Sequence, residues 1–448
     1  TLAYSLKDRY VFNANIRSDA SNRFGQDANN QFDPTYSFGI SWRIAEEEFI
    51  KNYLPWLNQL NLRATYGIQG NVVNSVSPDL IAQYRGIIGG YDEYYLTISS
   101  LPNPLLKWER TKTWNLGLDM QLFNGITMSF EYYGRRSNAI INQDIAQEYG
   151  MATMKLNGGR IHNHGIEYSI NLTPYKRKDF AWTIGINASK NWNKAQNDDV
   201  RIKADKLTKD NFLTGSSDRL LKKGYPLSAF WSYSFAGLDP QTGYPTFNRI
   251  GFDEIDPDID PTTFLVYSGQ KAPYFTGGVN TRVRYKSLSL GVDFSVLLGA
   301  KKRLPNPYAN FNYGKLPAPY HNLSKDLLKR WQKPGDEKHT IYPALYTSVE
   351  DVYNIQLPDG TQSNSIYSMW ANSDAMVVNA SFLRCNQISV SWNMPPRICS
   401  KFGATNCSIS ANLNNPFVIG SNRFNGFDPE LGDSVMPKIF SCGLSVGF

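Results

Sequence analysis

The sequence predicts an all-β fold, a transmembrane antiparallel up-and-down β-barrel, and three observations lead to this prediction. Apolar and polar residues alternate over segments of about ten residues, the length with which a tilted strand crosses a bilayer. Short and long connections follow one another along the chain, as they do when one end of every hairpin faces the periplasm. The last segment has one apolar face and ends on Phe448.

The composition agrees with a barrel and excludes a helical membrane protein. The 448 residues are 41% hydrophobic and 14% aromatic, with 27 Tyr, and no apolar run approaches the roughly 18 residues of a membrane helix. A barrel wall needs apolar residues only at every second position, which explains a mean hydropathy of −0.41 beside many aromatic residues. A large secreted β-sandwich or lectin has a similar composition, so composition alone leaves that alternative open.

The period-two alternation predicts about twelve wall strands. In the first of them, Tyr10, Phe12, Ala14 and Ile16 alternate with polar or small residues. The predicted strands lie at Tyr10–Ile16, Tyr36–Ile44, Leu60–Ile68, Trp114–Leu122, Ile126–Tyr132, Ile166–Leu172, Phe180–Ala188, Phe275–Tyr285, Leu288–Leu298, Ile388–Met394, Cys407–Leu413 and Phe440–Phe448.

The connections between these strands favour a membrane barrel over a soluble sandwich. Four are short (Phe123–Gly125, Tyr175–Asp179, Lys286–Ser287, Pro395–Thr405) and four are long (Asn71–Lys107, Ser137–Arg160, Asn193–Tyr274, Gly299–Ala380). A further strand-like segment, Ser228–Leu238, would break the up-down order if it crossed the membrane. We therefore expect it to form a hairpin within a long external loop, at the turn Asp239–Gly243.

Charge, cysteines and the N-terminus carry weaker information. The net charge is +7, and the basic segment Arg201–Lys223 is interpreted as a solvated loop, since no nucleic-acid-binding motif is present.

None of the four cysteines forms a CxxC pair, and Cys407 and Cys442 are predicted to be small lipid-facing residues. No signal peptide precedes the first strand. Because an outer-membrane protein must be exported, we expect the true N-terminus to lie upstream.

No catalytic residue, metal ligand or cofactor site is predicted, since the sequence has no motif of the common catalytic or metal-binding classes. His162 and His164 point the same way on a strand, and an interfacial aromatic role is favoured over a metal site. Asp256, Asp258 and Asp260 have calcium-like spacing but lack the glycine and distal glutamate of a calcium loop. The Glu46–Glu48 run is interpreted as a polar turn.

Candidate ligand-binding residues are aromatic side chains of the long loops, which can stack on sugar faces if they are exposed. Packing within the loops, or contact with a covering protein, is the alternative role for any one of them. The candidates are Tyr84, Tyr91, Tyr94, Tyr95, Trp231, Tyr233, Tyr308, Tyr313 and Trp370.

The last segment is predicted to close the barrel and to be read by the insertion machinery. Phe440, Leu444, Val446 and Phe448 lie on its apolar face. An unpaired strand edge in hydrocarbon would leave N–H and C=O groups without hydrogen bonds, so closure is a physical requirement.

Seven blocks of sequence, in order along the chain, resemble the SusC/RagA-like family of TonB-dependent transporters. One departure is Asp33, which stands before Pro34 where the family pattern has none. The blocks are Arg17–Ile44 (RSDASNRF, then FDPTYSFGISWRI), Leu62–Asn71 (LRATYGIQGN), Asn103–Gly134 (beginning NPLLKWERTK), Asn157–Glu167 (NGGRIHNHGIE), Arg330–Gly335 (RWQKPG), Phe382–Pro395 (FLRCNQISVSWNMP) and Asn425–Leu431 (NGFDPEL).

The resemblance implies that residues 1–448 are the C-terminal portion, roughly the last twelve strands, of a plugged outer-membrane barrel of about 22 strands. It also implies partners: the N-terminal plug and strands of the same transporter, a SusD-like surface lipoprotein as a lid, the TonB complex, outer-membrane lipid, and an oligosaccharide or peptide ligand. A passive porin or structural barrel is the alternative within the membrane class. A secreted carbohydrate-binding or hydrolytic β-protein is the alternative outside it.

Overall fold

Thirteen antiparallel strands form one continuous sheet, called the wall here, in the computed structural model. The structure describes residues 1–24, 31–74, 76–91, 93–123, 125–151, 153–197, 209–215, 222–250, 255–256, 259–309, 322–346, 355–362 and 365–448. Numbering all strands of this part in chain order, the wall consists of β1 (Leu2–Leu6), β2 (Tyr10–Ala20), β3 (Phe32–Arg43), β4 (Leu57–Asn71), β7 (Glu109–Leu122), β8 (Ile126–Asp144), β9 (Thr153–Lys176), β10 (Phe180–Ala195), β15 (Phe275–Tyr285), β16 (Leu288–Leu298), β19 (Phe382–Asn393), β20 (Asn406–Ile419) and β21 (Ile439–Gly447).

All twelve predicted strands lie in the wall, and β1 is the one that the sequence analysis missed. Its five residues are too few to show a clear period, although Leu2 and Tyr4 pair with Ala14 and Phe12 of β2. The turn between the two strands spans three residues, with Lys7 at φ 53° and Asp8 at φ 55°, and it is closed by the Arg9 N–H, which donates to the Leu6 carbonyl. β1 and β21 are the two edges of the wall, which does not close on itself among the residues that the structure describes.

The register places apolar residues opposite one another on the outer face of the wall. Phe38 pairs with Tyr66, Leu116 with Tyr132, Leu290 with Val390, and Leu413 with Phe440. Most of these side chains are exposed in the isolated chain, as a lipid-facing surface must be. The opposite face carries polar and small residues, for example Thr65 opposite Asn115 and Asp119 opposite Ser129.

The remaining strands belong to the long connections at the outer end of the wall. They are β5 (Ile81–Ile88), β6 (Glu93–Ser100), β11 (Ala229–Tyr233), β12 (Phe235–Leu238), β13 (Pro245–Phe247), β14 (Leu265–Gln270), β17 (Lys301–Arg303) and β18 (Val377–Asn379). The predicted hairpin is confirmed as β12–β13, whose turn is held by Asp239 Oδ1, which accepts from Thr242 N at 2.7 Å. β11 does not belong to that hairpin and pairs with β14 instead.

The two longest connections pack together around buried side chains, a region called the external core here. Met369 and Leu357 from the β16–β19 connection pack with Phe264 and Leu265 from the β10–β15 connection. Trp370 is buried in an adjoining cluster of the β16–β19 connection. Phe424, from the β20–β21 connection, is buried in the same region. Burying large aromatic and aliphatic side chains stabilises a loop region by about 1.5–3 kcal/mol for each side chain.

Short helices occur only at the ends of the wall in the part that the structure describes. The α-helices are Glu48–Tyr53, Lys209–Thr214, Ile366–Ala371 and Pro396–Cys399. The 3₁₀ turns are Asn22–Phe24, Ile44–Glu46, Gln147–Tyr149, Pro261–Thr263, Lys325–Lys329, Asp336–Lys338, Asp374–Met376, Ser400–Phe402 and Asn422–Phe424. Among the described helices, none has the length and apolar character needed to cross a membrane.

Candidate functional site at the outer end of the wall

The β5–β6 hairpin projects from the outer end of the wall with its aromatic side chains uncovered. Tyr84, Tyr91, Tyr94 and Tyr95 are all exposed, Tyr91 to 77%, which is the condition for stacking on a ligand. The rings of Tyr84 and Tyr94 lie 5.7 Å apart across the two strands. Leu96 is also exposed. A two-stranded hairpin is at best marginally stable in water, so this one is suited to being covered by a ligand or another protein.

Four of the other candidate aromatics are buried in the external core, which is the packing role that the sequence analysis gave as the alternative. Trp370 is 0% exposed, and Trp231, Tyr233 and Tyr308 are also buried. The reason is that two connections, distant in sequence, fold against each other. Trp231 and Tyr233 pack with Met369 of the other connection. Trp370 is held within its own connection, where its Nε1 donates to the Ile341 carbonyl at 2.8 Å. Tyr313 lies outside the described residues.

Buried phenols in the external core act as neutral hydrogen-bond donors. Burial raises the pKa of Tyr233 and of Tyr308 well above the ordinary value for tyrosine. The Tyr308 hydroxyl donates to the Pro343 carbonyl at 2.5 Å. The Tyr308 bond stabilises the β16–β19 connection, and Tyr233 packs against Met369 of that connection from the β10–β15 connection. Ligand contact by the four exposed tyrosines of the hairpin stays a prediction.

The family-like motifs of the N-terminal half meet at the outer rim of the wall, where β3, β4 and β7 reach the loops. Asp33 is fully buried, and its Oδ1 accepts from Arg110 Nε at 2.6 Å. Nearby, Trp108 Nε1 donates to the Gln31 carbonyl at 3.1 Å. A Cβ atom at position 70 would lie 1.9 Å from Asp33 Oδ2, so Gly70 is the residue that leaves room for the carboxylate. The rim therefore depends on Asp33, the residue that departs from the family pattern.

Side-chain amides and carboxylates extend this rim toward β8 and β9. Asn71 Nδ2 donates to Glu109 Oε2 at 2.9 Å, and Glu109 Oε1 accepts from the Ile140 N–H at 2.8 Å. Asn157 and Lys107 bond reciprocally: the Lys107 N–H donates to Asn157 Oδ1, and Asn157 Nδ2 donates to the Lys107 carbonyl. The motifs seen in the sequence are thus the contacts that fix where the loops leave the wall.

A buried ion pair fixes the last external connection in the same way. Arg384 of β19 donates from Nη1 to Asp428 Oδ2 and from Nη2 to Asp428 Oδ1, each at 2.7 Å. Glu430 Oε2 accepts a further bond from Nη2 at 3.1 Å. Planar, bidentate pairing of this kind fixes geometry as well as charge. Both partners belong to sequence motifs, Phe382–Pro395 and Asn425–Leu431.

The inner face of the wall carries a charged network on β4, β7 and β8. Arg63 Nε donates to Asp119 Oδ2 at 2.7 Å, and its Nη2 donates to Glu131 Oε1 at 2.9 Å. Asn115 Nδ2 donates to Glu131 Oε2 at 2.9 Å, and Ser129 Oγ donates to Asp119 Oδ1 at 2.9 Å. This face of the wall is therefore hydrophilic, and its side chains can form hydrogen bonds with water or protein inside the barrel.

The last strand has the geometry that its sequence predicts. Phe440, Leu444, Val446 and Phe448 are exposed, Phe448 to 87%. β21 pairs with β20 on one side and has no strand on the other among the described residues. Its role in closure and insertion stays a prediction.

The described residues contain no group of three or more His, Cys, Asp or Glu placed to hold a metal ion. His162 and His164 lie side by side, and His164 stacks on Trp192 with ring centroids 5.1 Å apart. Asp260 accepts from the Thr262 N–H at 2.9 Å and pairs with Lys222. Burial opposes its ionisation, but these contacts hold the pKa of Asp260 below the ordinary range. Asp258, like most of the basic segment 201–223, lies outside the described residues.

Two expectations about the periplasmic end need correction. Glu47 is not part of a plain polar turn, because its carboxylate is buried and accepts from Arg9 at 2.9 Å, Tyr10 at 2.8 Å and Trp42 at 3.1 Å. Cys407 is buried beneath the turn, where it packs with Cys399, and is not lipid-facing. Cys442 is exposed on the outer face of β21, as predicted.

A family model described as "TonB dependent receptor-like, beta-barrel" matches residues 1–294. The chain belongs to the TonB-dependent receptor β-barrel family. Curated relatives include the TonB-dependent receptor SusC of Bacteroides thetaiotaomicron, 28% identical over 100% of this chain and 43% of its own length. Another is the TonB-dependent receptor P3 of Formosa agariphila, 25% identical over 95% of this chain and 41% of its own length. The chain therefore spans less than half the length of the curated relatives it matches.

Solved structures place the wall in the same fold. The RagAB peptide transporter matches with a TM-score of 0.74 and 23% identity over 99% of this chain and 46% of that one. The RagAB peptide importer in its open-open state gives a TM-score of 0.75, at 23% identity, over 100% of this chain and 46% of that one. The apolar face of this TonB-dependent receptor barrel is thus the surface that faces lipid in the outer membrane of a Gram-negative bacterium.

Proposed function

We propose that the chain is the closing part of an energised outer-membrane importer that takes up oligosaccharides or peptides beneath a surface lipoprotein. The observation that carries the proposal is the contrast between two structures at the outer end of the wall. The external core is self-contained, with Trp370 and Phe264 fully buried. The β5–β6 hairpin beside it leaves Tyr91 and Tyr94 uncovered. The uncovered hairpin is suited to docking a covering protein.

The name of one structural relative supports the peptide class, and the oligosaccharide class comes from the resemblance of the sequence motifs. RagAB is titled a peptide transporter, and this chain shares its fold. SusC is a more similar relative by sequence, at 28% identity. Neither resemblance selects one class for this chain, and the proposal therefore keeps both.

The test is purification of the full-length transporter from native outer membranes, followed by mass identification of partner chains and bound ligand. The proposal expects a surface lipoprotein in about equal amount. Changing Tyr91 and Tyr94 to serine should lower the recovered lipoprotein. Tyr149→Ser is the matched control, because Tyr149 is also an exposed external tyrosine but lies on another connection.

Two results would contradict the proposal. If the transporter purified in mild detergent carries no lipoprotein, the proposed lipoprotein partner is contradicted. Uptake that continues when the proton gradient is abolished would favour the alternative, a passive porin or structural barrel. Recovery of the native protein in the soluble fraction without detergent would instead favour a secreted β-protein.

A further inference from the structure

A cavity with several basic side chains lies at the outer end of the wall, between three external connections. It has a volume of about 680 Å³, within the range of small-ligand pockets. Its cations are Lys271, Lys301, Lys302 and Arg303. The other lining residues that matter below are Asp210 and Asp433. The sequence analysis passed over this site, although the run Lys301–Arg303 is visible in the sequence.

Arg303 is fixed in this cavity by neutral acceptors. Nη1 donates to the Leu213 carbonyl and to Asn372 Oδ1, both at 3.1 Å, and Nη2 donates to the Trp231 carbonyl at 2.9 Å and to Ser232 Oγ at 3.0 Å. Its buried Nε has no hydrogen-bond partner in the described part of the protein. Burial lowers the pKa of Arg303 to about 10, so the group is still charged at neutral pH. A positive charge is thus held in place without a carboxylate to balance it.

The neighbouring lysines add to this uncompensated charge. Among the ion pairs of the described residues, none involves Lys271, Lys301, Lys302 or Arg303, although Asp210 and Asp433 line the same cavity. Lys302 donates to the Glu430 backbone carbonyl, a neutral group. Desolvation and the positive charges of Arg303 and Lys302 lower the pKa of Lys271. Repulsion of this kind is relieved when an anion enters.

We infer that this basic cavity binds a carboxylate group of the cargo, carried either by a uronic acid of an oligosaccharide or by an acidic residue of a peptide. The inference rests on the proposed uptake function, since it assigns a charge to the ligand. Arg303 supplies a preorganised positive potential, and Lys271 and Lys301 supply mobile ammonium groups at the cavity wall. A neutral oligosaccharide would leave the repulsion among the cations in place.

A purely structural role for Arg303 has to be separated from this inference, because its four hydrogen bonds join the connections around the cavity. The test therefore leaves Arg303 unchanged. It uses the double variant Lys271→Gln with Lys301→Gln, which removes two charges without touching those bonds. Lys333→Gln is the control, since Lys333 is an exposed external lysine that does not line the cavity.

The experiment measures equilibrium binding of trigalacturonate, triglutamate and maltotriose to the full-length transporter purified with its partner chains. The inference expects one acidic trimer to bind the unchanged protein, more weakly as salt rises, and about tenfold more weakly to the double variant. Trigalacturonate identifies a uronic acid as the source of the carboxylate, and triglutamate a peptide. The control variant should bind like the unchanged protein, and all three proteins should unfold at the same temperature.

Unchanged affinity of both acidic trimers for the double variant overturns the inference, as does failure of both to bind the unchanged protein. An equal loss of maltotriose binding in the double variant overturns it too, because the lysines would then act on ligands regardless of charge. The proposed function fails differently. If acidic trimers bind the purified protein but cells do not import them, the binding assignment of the cavity is supported and the proposed uptake function is contradicted.

Discussion

Arg384 and Asp428 form a bidentate ion pair, with two N–O distances of 2.7 Å and side-chain exposures of 5% and 4%. The pair joins β19 to the β20–β21 connection across 44 residues of sequence. Arg384 also lies over the ring of Phe382, 4.9 Å from its centroid. A buried ion pair therefore joins the last external connection to the wall.

Removing one member of this pair should destabilise the outer end of the wall strongly. Asp428→Asn leaves the buried Arg384 guanidinium with only the half-exposed Glu430 carboxylate as counter-charge, at a cost of up to about 3–5 kcal/mol. The measurement is thermal unfolding of the full-length protein in detergent, followed by loss of the compact, heat-modifiable gel band. Lys329→Gln is the control, because its pair with Asp326 is more exposed and contributes about 0–1 kcal/mol. Equal shifts for the two variants would contradict the role of burial.

The same pair predicts a pH dependence. Burial alone raises the pKa of Asp428, but Arg384 and the Glu430 and Leu431 backbone N–H groups lower it below its ordinary value. A lowered pKa in the folded state stabilises the fold above about pH 4, where an unfolded aspartate is ionised, and this contribution disappears as the pH falls through the folded-state pKa. The difference in unfolding temperature between the unchanged protein and Asp428→Asn should therefore narrow below about pH 4. A constant difference from pH 7 to pH 3 would exclude this linkage.

Gly70→Ala should disturb the N-terminal rim. The added Cβ would lie 1.9 Å from Asp33 Oδ2, and Asp33 has no space to move because it is fully buried against Arg110. Overpacking of this kind costs about 1–3 kcal/mol. Gly89→Ala is the matched control, since no heavy atom lies within 4 Å of the Cβ position there. Proteolysis of the β2–β3 connection reports the result, and equal protection of the two variants would refute the crowding argument.

Changes in the last strand should reduce insertion into the membrane. Phe448→Ala removes an exposed aromatic ring, and Phe440→Asp puts a charge on the lipid-facing side of β21, which opposes the transfer of this strand into lipid. Both should lower the amount of folded barrel in the outer membrane. Ser441→Asp is the control, because Ser441 lies on the opposite face, beside Asn412. Normal levels of heat-modifiable barrel in both phenylalanine variants would contradict the role of this strand in barrel closure and insertion.

The wall was predictable because lipid imposes a simple rule on each strand. A strand such as β16 must alternate whether or not its neighbours are known, and Leu288–Leu298 has the same bounds in the structure as in the prediction. β1 lacks enough residues to show that period. Turn residues also act locally, so the hairpin at Asp239 could be foreseen.

The site was less predictable because it depends on contacts between distant segments. Phe235 N donates to Asp374 Oδ1 across 139 residues, and contacts of this kind bury Trp231 and Trp370. A loop tryptophan has the same appearance in a sequence whether it faces water or a core. The same limit applies to Asp33 and Arg110, whose motifs were recognised but whose pairing was not.

The external core gives the connections a stability of their own, and the rim contacts at Asp33 and Arg384 hold them at fixed points. Met369 of the β16–β19 connection packs against Phe264 and Leu265 of the β10–β15 connection, so replacing one connection alone would leave apolar side chains of the other unpacked. A graft from a homologous receptor that keeps the external core intact therefore replaces both connections together.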